Sequence, residues 1–437
     1  MSQNFQNYFH AVKYLESLST IPKPELMRSR GSGFYLNRTK KLIKKLNINL
    51  SQFKFIHVAG TAGKGTTVAL VHQILFKAGH KVGSFYSPHP TTSIERVRVN
   101  AKYISPNDFG KITKKLKPVI QQMYLDSKYG VPSYFEIFFA LALLYFQQKK
   151  SKYVILETGC GGEFDATNII KKPLITAITN INYDHTHILG KTLKKIARTK
   201  SKIIKPNSIF LTTEQRPELL EIFQNECEHR KIKKHFFLPP ISDGQALPCK
   251  KPPIPNSSSI NPRNISLATA ICRELNIAQK YINQGIKQNF LSCRFEIIQT
   301  KPIVVLDGAH NPAKIKVTAE NLSQINYNRL FLILAINQNK NYEKIIKIIA
   351  PKASNVYLTR HLNPDRPCVD LKLMYNQFLV ANKKLKPLIF LDPWQALNMA
   401  LNKTKPNDLI LITGSFYLSG ELRQYWINEQ TILSEAE

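Results

Sequence analysis

Acidic residues are scarce in this chain: 29 Asp and Glu stand against 62 Lys and Arg in 437 residues, a formal charge of +33. A field of that sign attracts anions, whether nucleic acid or acidic metabolites. The lysines are spread along the whole chain, often beside Ile and Asn, as in "KKLIKKLNINL" and "KIIKIIAPK". A nucleic-acid footprint is a patch rather than a total. The spread therefore reads as composition bias, and no nucleic-acid partner is expected.

Cysteines are few too. Cys160, Cys227, Cys249, Cys272, Cys293 and Cys368 show no C-x-x-C spacing, so neither a disulfide framework nor a zinc site is suggested, and reduced thiols are expected. No segment reaches the ~18 apolar residues of a membrane helix. The opening "MSQNFQNYFHAVKYLESL" lacks a basic region followed by an apolar run. No membrane association is expected, and a cytoplasmic location is. Repeats and long low-complexity tracts are absent, so nothing suggests a solenoid.

What is present is core material: 43% hydrophobic and 10% aromatic residues. Single cores stop growing near roughly 250 to 300 residues, so this length predicts two domains. Strand-like and helix-like stretches alternate: "FKFIHVAG" then a helix from Gly65, "KYVILETG" then a polar loop, "PLITAITNI" then a helix from about Thr192. Such alternation predicts an α/β fold with a parallel sheet, whose ligands gather at the carboxyl ends of the strands. The Pro- and Ser-rich stretch 238–264 predicts an irregular excursion before a helix near Asn264. A second strand-loop-helix series starts at "FEIIQTKPIVVLDGAHNPAK". The boundary is placed there, giving domains of residues 1–295 and 296–437.

The stretch "IHVAGTAGKGTTVALVHQIL" (56–75) carries the first chemistry. Gly60, Gly63 and Gly65 permit close backbone approach to phosphates at a helix N-terminus. Lys64 supplies charge, and Thr66 or Thr67 a hydroxyl for magnesium. The wording departs from the usual G-x-x-x-x-G-K-[ST]: Val58 stands at the first glycine and Gly65 follows the lysine. A second candidate is Glu157 in "YVILETGCGGEFDATN", where a carboxylate beside Val, Ile and Leu is costly to bury without a cation. Magnesium favours such hard oxygen ligands.

The loop "GTAGKGT" resembles that of the Mur ligase superfamily, and more narrowly of the folylpolyglutamate and dihydrofolate synthases, with Ala62 where those have asparagine. Further stretches resemble that family in its fixed order: "SPHPTTSIERVRV", "SYFE", "ETGCGGEFDATN", "TNINYDHTHILGKTLKKIARTK", "NPRNISLATA", "SCRFE", "DGAHNP" and "TGSFYLSGE". They run from about residue 33 to 423.

The resemblance implies a P-loop-type parallel-sheet ATPase domain followed by a smaller Rossmann-like α/β domain. It implies ATP contacts from residues 60 to 67, including Thr61, and from Asn264, Arg294 and Asp307. Ser87, Glu157, His185 and Thr66 are implied for two Mg²⁺ sites. Lys200 matches a lysine carbamylated in family members, although Thr199 and Lys202 alter its surroundings, and His310 falls in the cleft. Tyr134, Phe135, Glu136, Phe164 and Asp165 are implied near the folate or pteroate. The activity implied is ATP-dependent addition of L-glutamate to a folate carboxylate through an acyl phosphate, by a monomer acting on small molecules. The departure of residues 19–36 from the family's wording leaves open whether dihydropteroate is also a substrate. A peptidoglycan-precursor ligase of the Mur type, and a nucleotide-dependent nucleic-acid-binding protein, are the alternatives.

Overall fold

The computed structural model describes residues 3–20, 32–126, 128–239, 261–288, 291–364 and 366–437. Most of the Pro- and Ser-rich excursion, and residues 21–31 of the altered N-terminal stretch, lie outside the described residues.

Two sheets form two layers of architecture. The first contains β1 (Lys54–Ala59), β2 (Val82–Phe85), β3 (Val97–Val99), β4 (Lys102–Tyr103), β5 (Tyr153–Glu157), β6 (Ile175–Ile178), β7 (Ile209–Thr212) and β8 (Lys234–Phe237). Their order is β4-β3-β2-β5-β1-β6-β7-β8. From β2 to β8 every pairing is parallel, while β3 and β4 join antiparallel at one edge. Parallel strands are covered on both faces and need apolar side chains on both. "YVILE" of β5 accordingly is buried throughout.

The second sheet contains β9 (Glu296–Thr300), β10 (Ile303–Leu306), β11 (Leu330–Leu334), β12 (Asn355–Leu358), β13 (Leu388–Ile389) and β14 (Leu409–Thr413), in the order β13-β12-β11-β14-β10-β9. It is parallel except for β9, which turns back on β10 through a tight hairpin. Neither sheet is therefore purely parallel: in each, a short connection leaves no room for a crossover helix and forces an antiparallel edge.

Helix Tyr134–Gln148 covers the first sheet. Its start is fixed by a capping box, in which Ser133 and Glu136 satisfy each other's backbone N–H groups. It buries Phe138, Phe139 and Phe146 completely, and truncating such a side chain to alanine costs about 3–5 kcal/mol. The chain does not end in the second domain's core. Helix Glu429–Ala436 returns to the first, where Ile432, Leu433 and Ala436 join the cluster around Phe109 and Phe138.

Candidate active site

The carboxyl ends of β1, β5 and β6 bring the conspicuous loops together. Residues 60–63 leave β1 with Gly60 at φ +142° and Gly63 at φ +84°, conformations that an L side chain rarely adopts. A Cβ on Gly60 would lie 1.9 Å from Thr179 Oγ1, and one on Gly63 would lie 2.2 Å from Asn264 Oδ1. The loop is moulded on the turn after β6: Thr179 Oγ1 donates to the Ala62 carbonyl at 2.6 Å, and Ala62 N–H to Asn180 Oδ1 at 2.9 Å. The helix Lys64–Lys77 begins with Gly63 as its cap and no side chain on its first N–H groups. Those groups are left for an anion.

Lys64 Nζ and Lys200 Nζ both donate to the Gly60 carbonyl, at 3.1 and 2.8 Å. Burial, with Lys64 adding to it, lowers the Lys200 ammonium to about 7. Thr66 lines the cleft, whereas Thr67 is wholly buried with its hydroxyl unpartnered among the described residues. Of the two hydroxyls, Thr66 is the one in reach of a cleft-bound metal.

Glu157 ends β5 and is 3% exposed. Among the described residues its carboxylate accepts one hydrogen bond, from Ser87 N–H at 3.1 Å. Gly65 lies against it, since a Cβ there would stand 3.1 Å from Glu157 Oε2 and 3.6 Å from Arg294 Nη2. A glycine after the loop lysine thus makes room for a carboxylate and a guanidinium where other loops carry a hydroxyl.

His185 caps a short helix in the left-handed conformation, and burial pushes its imidazole down to about 4, so it is neutral, the form that binds a metal. Among the described residues, no three His, Cys, Asp or Glu side chains gather into a metal site. A site built here would draw on one carboxylate, hydroxyls and substrate phosphates. That composition suits Mg²⁺, which keeps waters and phosphates among its ligands. The sparsely bonded, buried Glu157 carboxylate fits such a cation.

The second domain closes over this loop set. Asp184, beside His185, accepts from Lys340 Nζ at 2.7 Å and from Asn311 Nδ2 at 3.1 Å. Burial alone would raise its carboxyl, but the charges of Lys314 and Lys340 hold it well below the usual carboxylate range. Asn311 also caps the helix Pro312–Leu322 through Lys314 N–H, so one side chain orients a helix and joins two domains. His310 Nδ1 lies 2.8 Å from the Gly308 carbonyl and Nε2 lies 3.1 Å from Lys314 Nζ. Burial lowers Lys314 to about 7. Asp307 accepts from Ala309 N–H and Thr318 Oγ1, while burial raises its carboxyl to about 6.

Arg294 stands between the domains with its guanidinium 4.6 Å from the centre of the Phe416 ring. Its neighbours Cys293 and Phe295 hold φ of +56° and +52°. Cys293 therefore sits in the left-handed region without a glycine's freedom, at a cost of roughly 1–2 kcal/mol. These groups surround a cleft of about 680 Å³ lined by Lys64, Thr66, Glu157, Asn264, Arg294 and Asp307.

The residues assigned to the folate lie apart from that lining. Tyr134 packs on Phe138 and the Arg96 guanidinium, Phe135 lies against Phe85, and Phe164 is exposed. Glu136 is taken up by Arg38, Thr39 and Ser133, and Asp165 by Cys160 N–H and Thr167. Both carboxylates serve the scaffold in this arrangement. Asp184, Lys314 and Lys340 were not picked out from the sequence. Asp184 directly precedes His185 and Lys314 falls four residues after His310, whereas Lys340 follows β11 with no pattern to mark it.

A phosphate loop on a parallel sheet, facing a second sheet domain across a cation-lined cleft, defines an ATP-using ligase of the Mur type. Residues 58–237 match the Mur ligase middle domain and 293–416 the Mur ligase glutamate ligase domain. The chain is 32% identical over 413 residues to the dihydrofolate synthase/folylpolyglutamate synthase of Bacillus subtilis, covering 89% of this chain and 94% of that one. It belongs to the dihydrofolate synthase/folylpolyglutamate synthase family. The folylpolyglutamate synthase structure from Thermotoga maritima superposes with a TM-score of 0.76 at 27% identity, covering 96% and 97% of the two chains. A bifunctional synthase from Yersinia pestis, complexed with AMPPNP and a Mn ion, shares the fold at 24% identity and a TM-score of 0.78, covering 97% and 99%. Among the described residues, no helix is long and apolar enough to cross a membrane.

Proposed function

We propose that this chain joins the amine of L-glutamate to a carboxyl group of a folate, or of dihydropteroate, at the expense of ATP. The relative from Bacillus subtilis carries both activities in its name. The observation that carries the reading is the cleft itself, where the phosphate loop, Glu157, Arg294 and Asp307 meet across two domains.

In the first step a carboxylate oxygen attacks the γ-phosphorus of ATP and ADP leaves, giving an acyl phosphate. In the second the glutamate amine attacks the acyl carbon, phosphate leaves, and the nitrogen gives up a proton to become the amide. Charge on the transferring phosphoryl group is the main barrier. Lys64, Arg294 and the open N–H groups of helix Lys64–Lys77 would offset it, preorganised away from water. Two Mg²⁺ sites belong to this reading, one using Glu157, Ser87 and Thr66, the other His185 and a carbamylated Lys200. Bound there, the metal would neutralise phosphate oxygens. The depressed Lys200 favours the neutral amine from which a carbamate forms. Asp184, Asn311 and Lys340 tie the domains together, which keeps water from an acyl phosphate that would otherwise hydrolyse.

The division at 295/296 is part of this proposal, as is a monomer that needs only small-molecule partners. The Mur-type peptidoglycan reading is set aside, because the relatives that match over most of the chain are named for folate chemistry. Phosphate release from Mg-ATP with glutamate, offering tetrahydrofolate and dihydropteroate separately, tests it. Turnover with the first alone means polyglutamate synthesis, and turnover with both means two activities. Turnover with neither overturns the proposal.

A further inference from the structure

Arg423 ends the helix Phe416–Arg423 and is 4% exposed. It stands where the chain leaves the second domain, just before helix Glu429–Ala436 docks on the first. Glu296, the first residue of β9, stands where the chain enters that domain from the linker. Arg423 Nε donates to both oxygens of Glu296, at 3.1 and 3.2 Å, so one buried ion pair joins the way in to the way out.

The guanidinium faces two carboxylates, and each holds the backbone of a segment that carries the site. Glu296 Oε2 accepts Cys293 N–H at 2.7 Å, which fixes the residue before Arg294. Across the domain boundary, Glu95 Oε1 lies 4.0 Å from Arg423 Nη1. Glu95 Oε2 accepts the N–H groups of Thr91 and Thr92, at 2.8 and 2.9 Å, closing the loop that starts at Ser87. Ser87 N–H is the donor to Glu157. The helix rests directly on that loop: Thr91 Oγ1 donates to the Gly420 carbonyl at 3.3 Å, and a Cβ on Gly420 would lie 1.9 Å from the Pro90 carbonyl oxygen. The two segments meet around a small cavity of about 30 Å³ lined by Pro88, Pro90, Glu95, Glu157, Ser292 and Arg294.

Buried ion pairs are a poor source of stability, because desolvation offsets most of the attraction. What a guanidinium supplies is geometry, since its donors form a rigid fork that can hold two carboxylates at fixed angles. We propose that Arg423 is a positioning residue that keeps Arg294 and the Ser87–Glu157 pair in register across the cleft, a role that rests on the ATP-dependent reading above. It acts through Glu296 on the linker and through Glu95 on the loop.

Steady-state phosphate release by the full chain, with Mg-ATP, glutamate and tetrahydrofolate, tests this in variants whose folding is checked by thermal unfolding. Arg423→Lys keeps a charge near both carboxylates but loses the fork, and should lower kcat about tenfold. In the Arg294→Ala or Glu157→Gln background the same change should cost only about threefold, because part of what it positions is already gone. In the Lys340→Ala background, where a separate interdomain contact is removed, it should cost the full factor. Equal losses in every background, or no loss in a folded variant, overturn the proposal. A loss that shrinks beside Lys340→Ala instead assigns Arg423 to domain adhesion and overturns it as well. Should Arg423→Lys not fold, Glu95→Gln keeps an acceptor for the two loop N–H groups and leaves the Arg423–Glu296 pair whole. It should raise the Mg²⁺ concentration of half-maximal rate about threefold or more, and an unchanged midpoint overturns the proposal. If the unaltered protein turns over with neither tetrahydrofolate nor dihydropteroate, the ATP-dependent reading falls and this one with it. Normal turnover that is indifferent to Arg423 removes only the positioning role.

Discussion

Gly65 and Glu157 are in contact across the mouth of the phosphate loop: a Cβ added to the glycine would lie 3.1 Å from the carboxylate Oε2. That carboxylate is buried and held by Ser87 N–H, so it has little freedom to retreat. Restoring the serine of ordinary loops, Gly65→Ser, should displace Glu157 and lower kcat by about tenfold to a hundredfold, since displacements near 1 Å cost that much. Steady-state kinetics beside a thermal unfolding curve decide it. Unimpaired turnover in a folded variant would show that the contact is incidental.

Glu157→Gln removes the charge while keeping the shape. Without it the buried group loses its reason to attract a divalent cation, and turnover should fall about a hundredfold. The concentration of Mg²⁺ giving half-maximal rate should rise as well. A magnesium titration checks this, and an unchanged midpoint would assign the metal to other ligands.

Lys340→Ala would leave Asp184 in the domain interface without its shortest ion-pair partner, at 2.7 Å in the intact protein. Breaking a buried pair on one side costs about 3 kcal/mol or more. Asn311 and Lys314 remain near Asp184, so the lower end is expected. Urea unfolding should show that loss, together with a lower kcat/KM for glutamate. A double variant with Asp184→Asn that recovers stability would confirm the pair.

Lys314 makes nucleotide binding depend on pH. Its ammonium is lowered to about 7 by burial, against an ordinary value near 10.4 in an unfolded chain. Phosphates brought close would favour the charged form and raise it again. Between about pH 7 and 10, ADP binding should therefore take up protons, measurable by titration in buffers of different ionisation enthalpy. The same shift means that the unfolded chain binds the extra proton in that window. The group's contribution then makes the nucleotide-free protein more stable as pH rises from about 7 to 10. In Lys314→Met both effects should shrink, and a proton uptake that persists in full would point to another group.

The sequence by itself determined the local events. The glycines of residues 60–65, the apolar runs of β1, β5 and β11 and the cap at Thr192 follow from backbone freedom, burial on two faces and side-chain hydrogen bonding, all readable within a few residues. So did the order of the family's motifs, and with it the class of chemistry. Pairing across the fold was not readable in this way. That Gly65 faces Glu157 depends on β1 lying beside β5, and that Asp184 meets Lys340 depends on one domain folding over another, 156 residues apart in the chain. The carboxylates of Glu136 and Asp165 read as substrate contacts in their motifs, yet turn to Arg38, Thr39, Cys160 and Thr167 once packed. A local pattern states which groups are available. Which charge neutralises which is set by burial and distance, and those exist only when the sheets and the two domains have come together.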